Sequence, residues 1–237
     1  MLTLTPDSLF AHRGLHDDVM PKNSLSAIVA AAEAGYGIEF DVHLSLDGVP
    51  MVSHDADTLH DTGVALEIAS THSRDLRELT FTGNGERLAT LDDVIREVGP
   101  SVPLLVEIKP TKRVAATVDA VVTRVVGREE SVALQSFQPR VVWQCKRRGG
   151  FIVGQLGEAA NAEMPMLERL YWNTLVTNAW IRPDFLAIYL SALQSPVVNF
   201  WRKQRALPLL GWTVVDADDV ATCRSANAGL IFEGVRP

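Results

Sequence analysis

Between Ile38 and Leu44 the chain reads Ile-Glu-Phe-Asp-Val-His-Leu, a strict alternation of apolar and ionisable side chains. Successive side chains of an extended strand point to opposite faces, so Glu39, Asp41 and His43 share one face and Ile38, Phe40, Val42 and Leu44 share the other. Two carboxylates two residues apart repel each other unless a cation lies between them, and hard oxygen ligands of this kind suit Mg²⁺ or Ca²⁺. Taken alone, the segment also reads as the edge of an open antiparallel sheet with its polar face in water. The apolar run from Val102 ends in Glu107-Ile108-Lys109, which supplies a third carboxylate and a lysine. Lys109 either neutralises the acids as an ion pair or meets an anionic group of a substrate. His12-Arg13-Gly14 closes the first apolar run, and His54-Asp55 follows Val49–Ser53. A single histidine is more often structural than chemical. Two histidines and an arginine fork beside a carboxylate-bound metal, however, provide a proton acceptor, a proton donor and positive charge for phosphoryl oxygens, which are the requirements of phosphodiester cleavage.

These residues have to be presented by regular elements, and the pattern of the chain supplies them. Strands are expected at Ser8–His12, Ile38–Leu44, Val102–Ile108, Ser131–Ser136, Phe151–Gln155, Phe185–Tyr189, Leu209–Val214 and Gly229–Phe232, with Pro50–Ser53 as a short extra strand. Helical sequence follows each of the eight except the last: near Leu25–Ala34, from Leu91 to Gly99-Pro100, Val114–Val126, Pro139–Arg148, Met164–Thr177, Pro196–Arg205 and Asp218–Ala226. Ser24 reads as an N-cap, Gly35 as a stop, and Thr90-Leu91-Asp92-Asp93 as a near capping box. Eight strands alternating with helices predict a (β/α)8 TIM barrel, an α/β fold in which the eight strands close into a cylinder. An open doubly wound sheet would carry a glycine-rich phosphate loop after the first strand, and that loop is absent from the sequence. We therefore expect one domain over residues 1–237, with a small polar insertion after the second strand at about 55–90.

Composition narrows the function classes. The chain has 237 residues, 47% of them hydrophobic and 22% charged, in the range of an ordinary globular domain. Its formal net charge of −7 argues against broad binding of nucleic acid. Cys145 and Cys223 have neither the number nor the spacing of a disulfide scaffold or a zinc ribbon. No apolar run reaches about 18 residues, and the first residues lack a secretory pattern. A protein without a transmembrane segment, in the cytoplasm, is the expectation. Charge is unevenly spread: Asn23–Ser73 carries eight acids and no Lys or Arg, and all six histidines fall in the first 72 residues. The basic run Lys146-Arg147-Arg148 reads as the last turn of a helix, where cations are favoured.

The ordered set Ala11-His12-Arg13-Gly14, Pro21-Lys22-Asn23-Ser24, Glu39-Phe40-Asp41-Val42, Asp47-Gly48-Val49-Pro50 leading to His54-Asp55, Thr90-Leu91-Asp92-Asp93-Val94, Glu107-Ile108-Lys109, Gln135-Ser136-Phe137 and Gly211-Trp212-Thr213-Val214 resembles the glycerophosphodiester phosphodiesterases. The likeness spans nearly the whole chain, strongly in the first half and only in rhythm from Phe151 to Leu207. It implies hydrolysis of small-molecule glycerophosphodiesters to glycerol phosphate and an alcohol. By the same likeness Glu39, Asp41 and Glu107 hold a divalent cation, His12 and His54 form the acid/base pair, and Arg13 and Lys109 hold phosphate. Trp212 either packs on the substrate or is a buried barrel residue. Three positions depart from the family pattern. Lys22 stands where Glu is usual, an arginine often found after the His-Asp pair is missing, and Phe232-Glu233 replaces Thr-Asp, a change expected to alter the floor of the pocket. A catalytically silent barrel that binds a phosphorylated ligand, and a sphingomyelinase D-like phospholipase, are the competing readings.

Overall fold

The computed structural model describes residues 2–159, 163–167 and 175–237. In chain order the elements are β1 (Leu9–His12), α1 (Leu25–Glu33), β2 (Gly37–Leu44), β3 (Pro50–Val52), α2 (Leu59–Thr62), α3 (Ser73–Leu76), α4 (Leu91–Glu97), β4 (Leu104–Ile108), α5 (Val114–Val125), β5 (Val132–Ser136) and α6 (Pro139–Arg148). They continue with β6 (Ile152–Gly157), α7 (Asn178–Ile181), β7 (Phe185–Tyr189), α8 (Pro196–Arg205), β8 (Leu209–Val214), α9 (Ala217–Ser225) and β9 (Gly229–Phe232). Much of the helix expected over Met164–Thr177 lies outside the described residues. Among the described residues, no helix is long and apolar enough to cross a membrane.

Eight parallel strands form a closed barrel. β1 pairs with β9 on one side and with β2 on the other, so the sheet order β1-β9-β8-β7-β6-β5-β4-β2 returns on itself. Closure removes the edge strand that an open sheet would leave. β3 is the ninth strand and lies antiparallel to the end of β2, pairing Val42 with Val52 and Leu44 with Pro50. It occupies the length of β2 that β1, paired only as far as Glu39, does not reach.

Alternation along the strands sorts the side chains into two apolar layers. Ile38, Phe40, Val42, Leu104, Val106 and Ile108 face the helices in the larger core cluster. Phe10, Leu105, Ala133, Leu156, Phe185 and Leu210 fill the barrel interior. The interior is tight on β6: a Cβ built on Gly154 would lie 2.2 Å from the Phe185 ring. Glycine there makes room for the aromatic.

The helices begin where the side chains predict. Ser24 Oγ accepts the Ala27 N–H at 3.2 Å and caps α1. Thr90 and Asp93 form a reciprocal capping box at α4, with Thr90 Oγ1 accepting from Asp93 N at 3.1 Å and Asp93 Oδ2 from Thr90 N at 2.9 Å. The cap and the box both satisfy N–H groups that the helix itself leaves unpaired. α6 carries Lys146, Arg147 and Arg148 in its last turn, with Lys146 paired to Asp184 at 2.6 Å and Arg148 paired to Asp119.

The segment between β3 and α4 contains α2, a 3-10 turn at Ile68–Ser70 and α3. Its sequence lacks periodicity because its elements are single turns. It is nevertheless packed, with Met51, Ile68, Leu76, Phe81 and Leu88 forming their own buried cluster.

Candidate active site

The site is built at the C-terminal ends of the barrel strands, where side chains from neighbouring strands converge. Register sets the first contacts. β2 and β4 align Asp41 with Glu107, and β1 and β2 align His12 with Glu39. All of these positions share the parity of the interior residues Phe10 and Leu105, so the four side chains point into the barrel mouth. Glu39, Asp41 and Glu107 are 2%, 1% and 5% exposed. One oxygen from each lies within 4.8 Å of the others.

Three buried carboxylates so close cannot all carry charge without compensation. Burial and the neighbouring charges of Asp41 and Glu107 hold the Glu39 carboxyl well above the usual range. Burial and the charge of Asp41 push Glu107 up to about 8. Burial also acts on Asp41, but Lys109, Arg13 and His54 outweigh it and keep this carboxyl below its ordinary value. Lys109 Nζ stands 3.1 Å from Asp41 Oδ1 and 2.9 Å from Glu107 Oε1, and these acids hold its ammonium charged against the effect of burial. Ionised together the three carboxylates would carry surplus negative charge, and such an all-oxygen set fits a hard divalent cation.

Backbone geometry aims the cationic groups. Arg13 adopts a left-handed conformation, φ 57°, and places Nε 3.3 Å from Asp41 Oδ2. Gly14 follows at φ 84°, and a Cβ there would lie 2.5 Å from the Ala27 carbonyl carbon. Only glycine lets the loop pass over α1 so closely. Asn23, at φ 61°, donates from Nδ2 to Asp41 Oδ2 at 2.9 Å while its Oδ1 accepts the Asp41 N–H at 3.3 Å. Sequence reasoning gave Asn23 no role; its buried, two-point hold on Asp41 became visible only with the loop folded back. Gln135 on β5 was likewise missed, and its Nε2 donates to Glu39 Oε1 at 3.3 Å.

His12 and His54 both line a narrow cleft of about 120 Å³ together with Arg13, Glu39, Glu107 and Lys109. Phe137, Leu156, Trp212 and Ile231 form its apolar wall. Burial lowers the pKa of His12 despite the opposing hydrogen bond to Glu233, and burial likewise lowers that of His54. Burial thus favours the neutral imidazole at both positions. His54 Nδ1 lies 2.7 Å from Asp55 Oδ1, and His43 Nε2 lies 3.1 Å from the His54 carbonyl oxygen, steadying the loop from the inner face of β2. Trp212 is half-buried, donates Nε1–H to the Ala187 carbonyl at 3.1 Å and meets Phe137 edge-on with centroids 5.6 Å apart. It is thus at once a packed barrel residue and part of the cleft wall.

The cleft opens beside an outer groove of about 510 Å³, bounded by Lys22, Asn23, His54 and Asp55 and by Phe81 and Thr82 of the insertion. Of the Phe232-Glu233 departure, Phe232 lies away from the pocket. It packs outward in the core between barrel and helices, with its ring centroid 4.8 Å from that of Tyr36. Glu233 alone turns to the site.

Fold and site together define a (β/α)8 barrel with a buried acidic cluster able to hold a cation and two histidines at its mouth. The chain belongs to the glycerophosphoryl diester phosphodiesterase family, whose profile matches residues 12–233. It is 30% identical over 112 residues to the "Probable glycerophosphodiester phosphodiesterase 2" of Mycobacterium tuberculosis, covering 47% of this chain and 42% of that one. The chain thus spans less than half the length of that relative. A glycerophosphodiester phosphodiesterase of Thermotoga maritima superposes with a TM-score of 0.75 at 26% identity, covering 95% and 94% of the two chains. A phosphodiesterase of Oleispira antarctica, solved with the product sn-glycerol-3-phosphate, superposes with a TM-score of 0.79 at 21% identity, covering 95% and 92%.

Proposed function

We propose that this chain hydrolyses glycerophosphodiesters to glycerol 3-phosphate and an alcohol, with His12 and His54 as the acid/base pair. The carrying observation is the convergence of three buried carboxylates and two imidazoles at one small cleft. Glu39, Asp41 and Glu107 would hold Mg²⁺ or Ca²⁺, which supplies positive charge to the phosphoryl oxygens.

In the reaction that the family resemblance implies, the 2-hydroxyl of the glycerol moiety attacks phosphorus. One histidine, as the neutral imidazole, takes its proton as the new O–P bond forms, and the other, as the imidazolium, protonates the departing alkoxide as the old O–P bond breaks. The two imidazoles then exchange roles: one removes a proton from water attacking the cyclic phosphate, and the other returns a proton to the 2-oxygen as the ring opens. Arg13 and Lys109 hold the phosphate against the strand ends. Trp212, with Phe137, offers an apolar surface to the glycerol or the leaving group.

The test is direct. Purified protein is incubated with glycerophosphocholine, with Mg²⁺, with Ca²⁺ or with EDTA, and glycerol 3-phosphate is followed by a coupled dehydrogenase. Release that depends on the cation is expected. No release with any divalent ion overturns the reading in favour of a barrel that only binds its ligand.

A further inference from the structure

Lys22 and Glu233 are 211 positions apart, and in the folded chain Lys22 Nζ lies 2.6 Å from Glu233 Oε1. The other oxygen of the same carboxylate lies 2.7 Å from His12 Nδ1, and His16 Nε2 is 3.6 Å from Oε1. Register explains how Glu233 arrives there. β1 and β9 pair Ala11 with Phe232, so the next step along both strands sets His12 beside Glu233. The Glu233 N–H donates to the Val214 carbonyl at 2.8 Å, which fixes the residue to the end of β8. Lys22 is fixed through its neighbour, because Asn23 bonds Asp41 through its side chain and the Arg13 carbonyl through its N–H.

An ionised carboxylate has only acceptors. With a lysine on one oxygen and an imidazole on the other, Glu233 requires His12 to be protonated at Nδ1, leaving Nε2 with its lone pair. Nε2 is the nitrogen that faces the site, 4.0 Å from Glu39 Oε2. Orientation of a working imidazole by a carboxylate on its far nitrogen is a general device, since the same group also steadies the imidazolium that forms during proton transfer.

We infer that Glu233 and Lys22 are positioning residues for His12, Glu233 fixing its tautomer and ring orientation and Lys22 fixing Glu233. Lys22 is then engaged by Glu233 and takes no part in holding substrate, although it bounds the outer groove beside the cleft. The kinetic side of this inference rests on the proposed phosphodiesterase activity; the tautomer itself does not.

Two measurements test it. In steady-state kinetics on glycerophosphocholine with the divalent cation present, Glu233→Ala is expected to lower kcat about 10- to 100-fold with KM within about threefold, the size typical of partners that orient a site residue. Glu233→Gln, whose amide oxygen still accepts from Nδ1, falls between wild type and Glu233→Ala. Lys22→Met lowers kcat several-fold, and the double variant Lys22→Met with Glu233→Ala is no slower than Glu233→Ala alone, because Lys22 acts only through Glu233. A raised KM in Lys22→Met, or effects that multiply in the double variant, would show that Lys22 meets substrate itself and overturn the assignment.

The second readout needs no turnover. Side-chain ¹⁵N spectra of the protein, with His12 identified by its loss in His12→Gln, are expected to show the Nδ1-protonated tautomer in wild type and its loss in Glu233→Ala. An Nε2-protonated His12 in wild type, or a spectrum unchanged by Glu233→Ala, refutes the inference. If wild type lacks activity on every glycerophosphodiester tried, the proposed function falls while these spectra still decide the role of Glu233.

Discussion

Asp41 and Glu107 are direct partners across the β2–β4 ladder, and a single ammonium, Lys109 Nζ, lies within 3.1 Å of one and 2.9 Å of the other. One positive charge for this pair and the nearby Glu39 leaves the set short of compensation even with Arg13 beside Asp41. That shortage makes the strand ends a place for a cation.

Cation binding is expected to stabilise the fold. A ligand held only by the folded state contributes about 2.7 kcal/mol at a hundred times its dissociation constant, or roughly 5–10 °C in Tm for a chain of this size. Thermal unfolding with Mg²⁺ or Ca²⁺ against EDTA measures it. Glu39→Gln is expected to move the midpoint of the cation titration at least about tenfold upward. A midpoint identical to wild type would remove Glu39 from the site.

His12→Ala and His54→Ala are each expected to reduce turnover by about 10² or more, the usual contribution of a proton-transfer group. Circular dichroism should show both variants folded. Losses of less than a few-fold in both would refute the acid/base assignment.

The capping box at α4 gives the fold a pH dependence with a defined sign. Burial opposes ionisation of Asp93, but its hydrogen bonds from the Thr90 backbone, Arg96 and the Thr90 side chain prevail and hold its carboxyl below the ordinary value. A carboxyl depressed in the folded state contributes stability above the unfolded value of about 3.9 and loses it as pH falls through the folded value. Asp93→Asn should therefore be less stable than wild type by about 1 kcal/mol at pH 7. Urea unfolding at pH 7 and again below pH 4 should show the difference narrowing; a difference that widens in acid contradicts it.

Gly154→Ala forces a methyl against the Phe185 ring at the barrel interior. Overpacking of this kind costs about 1–3 kcal/mol, so a Tm lower by roughly 2–12 °C is expected. A variant as stable as wild type would mean that the interior layer repacks freely.

Burial pushes the Cys145 thiol up to about 12 and the Cys223 thiol up to about 11. Thiolate is the reactive form, so both should resist Ellman's reagent at pH 8 in the native protein and react fully in guanidinium chloride. Rapid modification of the folded chain would contradict their packing.

Local chemistry determined a good deal by itself. Period-two alternation was enough to put Glu39 and Asp41 on one face of one strand, because strand side chains alternate whatever their neighbours are. Capping residues such as Ser24 and Thr90 announced helix starts, because their hydrogen bonds close within three residues. The rhythm of eight apolar runs and intervening helices called for a parallel sheet covered by helices on its outer face, and the missing glycine-rich loop favoured the closed barrel over an open doubly wound sheet. Strand neighbours, register and closure lay beyond sequence reading, because they couple residues through distant hydrogen bonds. Only the folded ladder sets Glu107 beside Asp41 and His12 beside Glu39. Only it folds Asn23 back onto Asp41, sends Phe232 outward while Glu233 turns in, and joins Lys22 to Glu233 across nearly the whole chain.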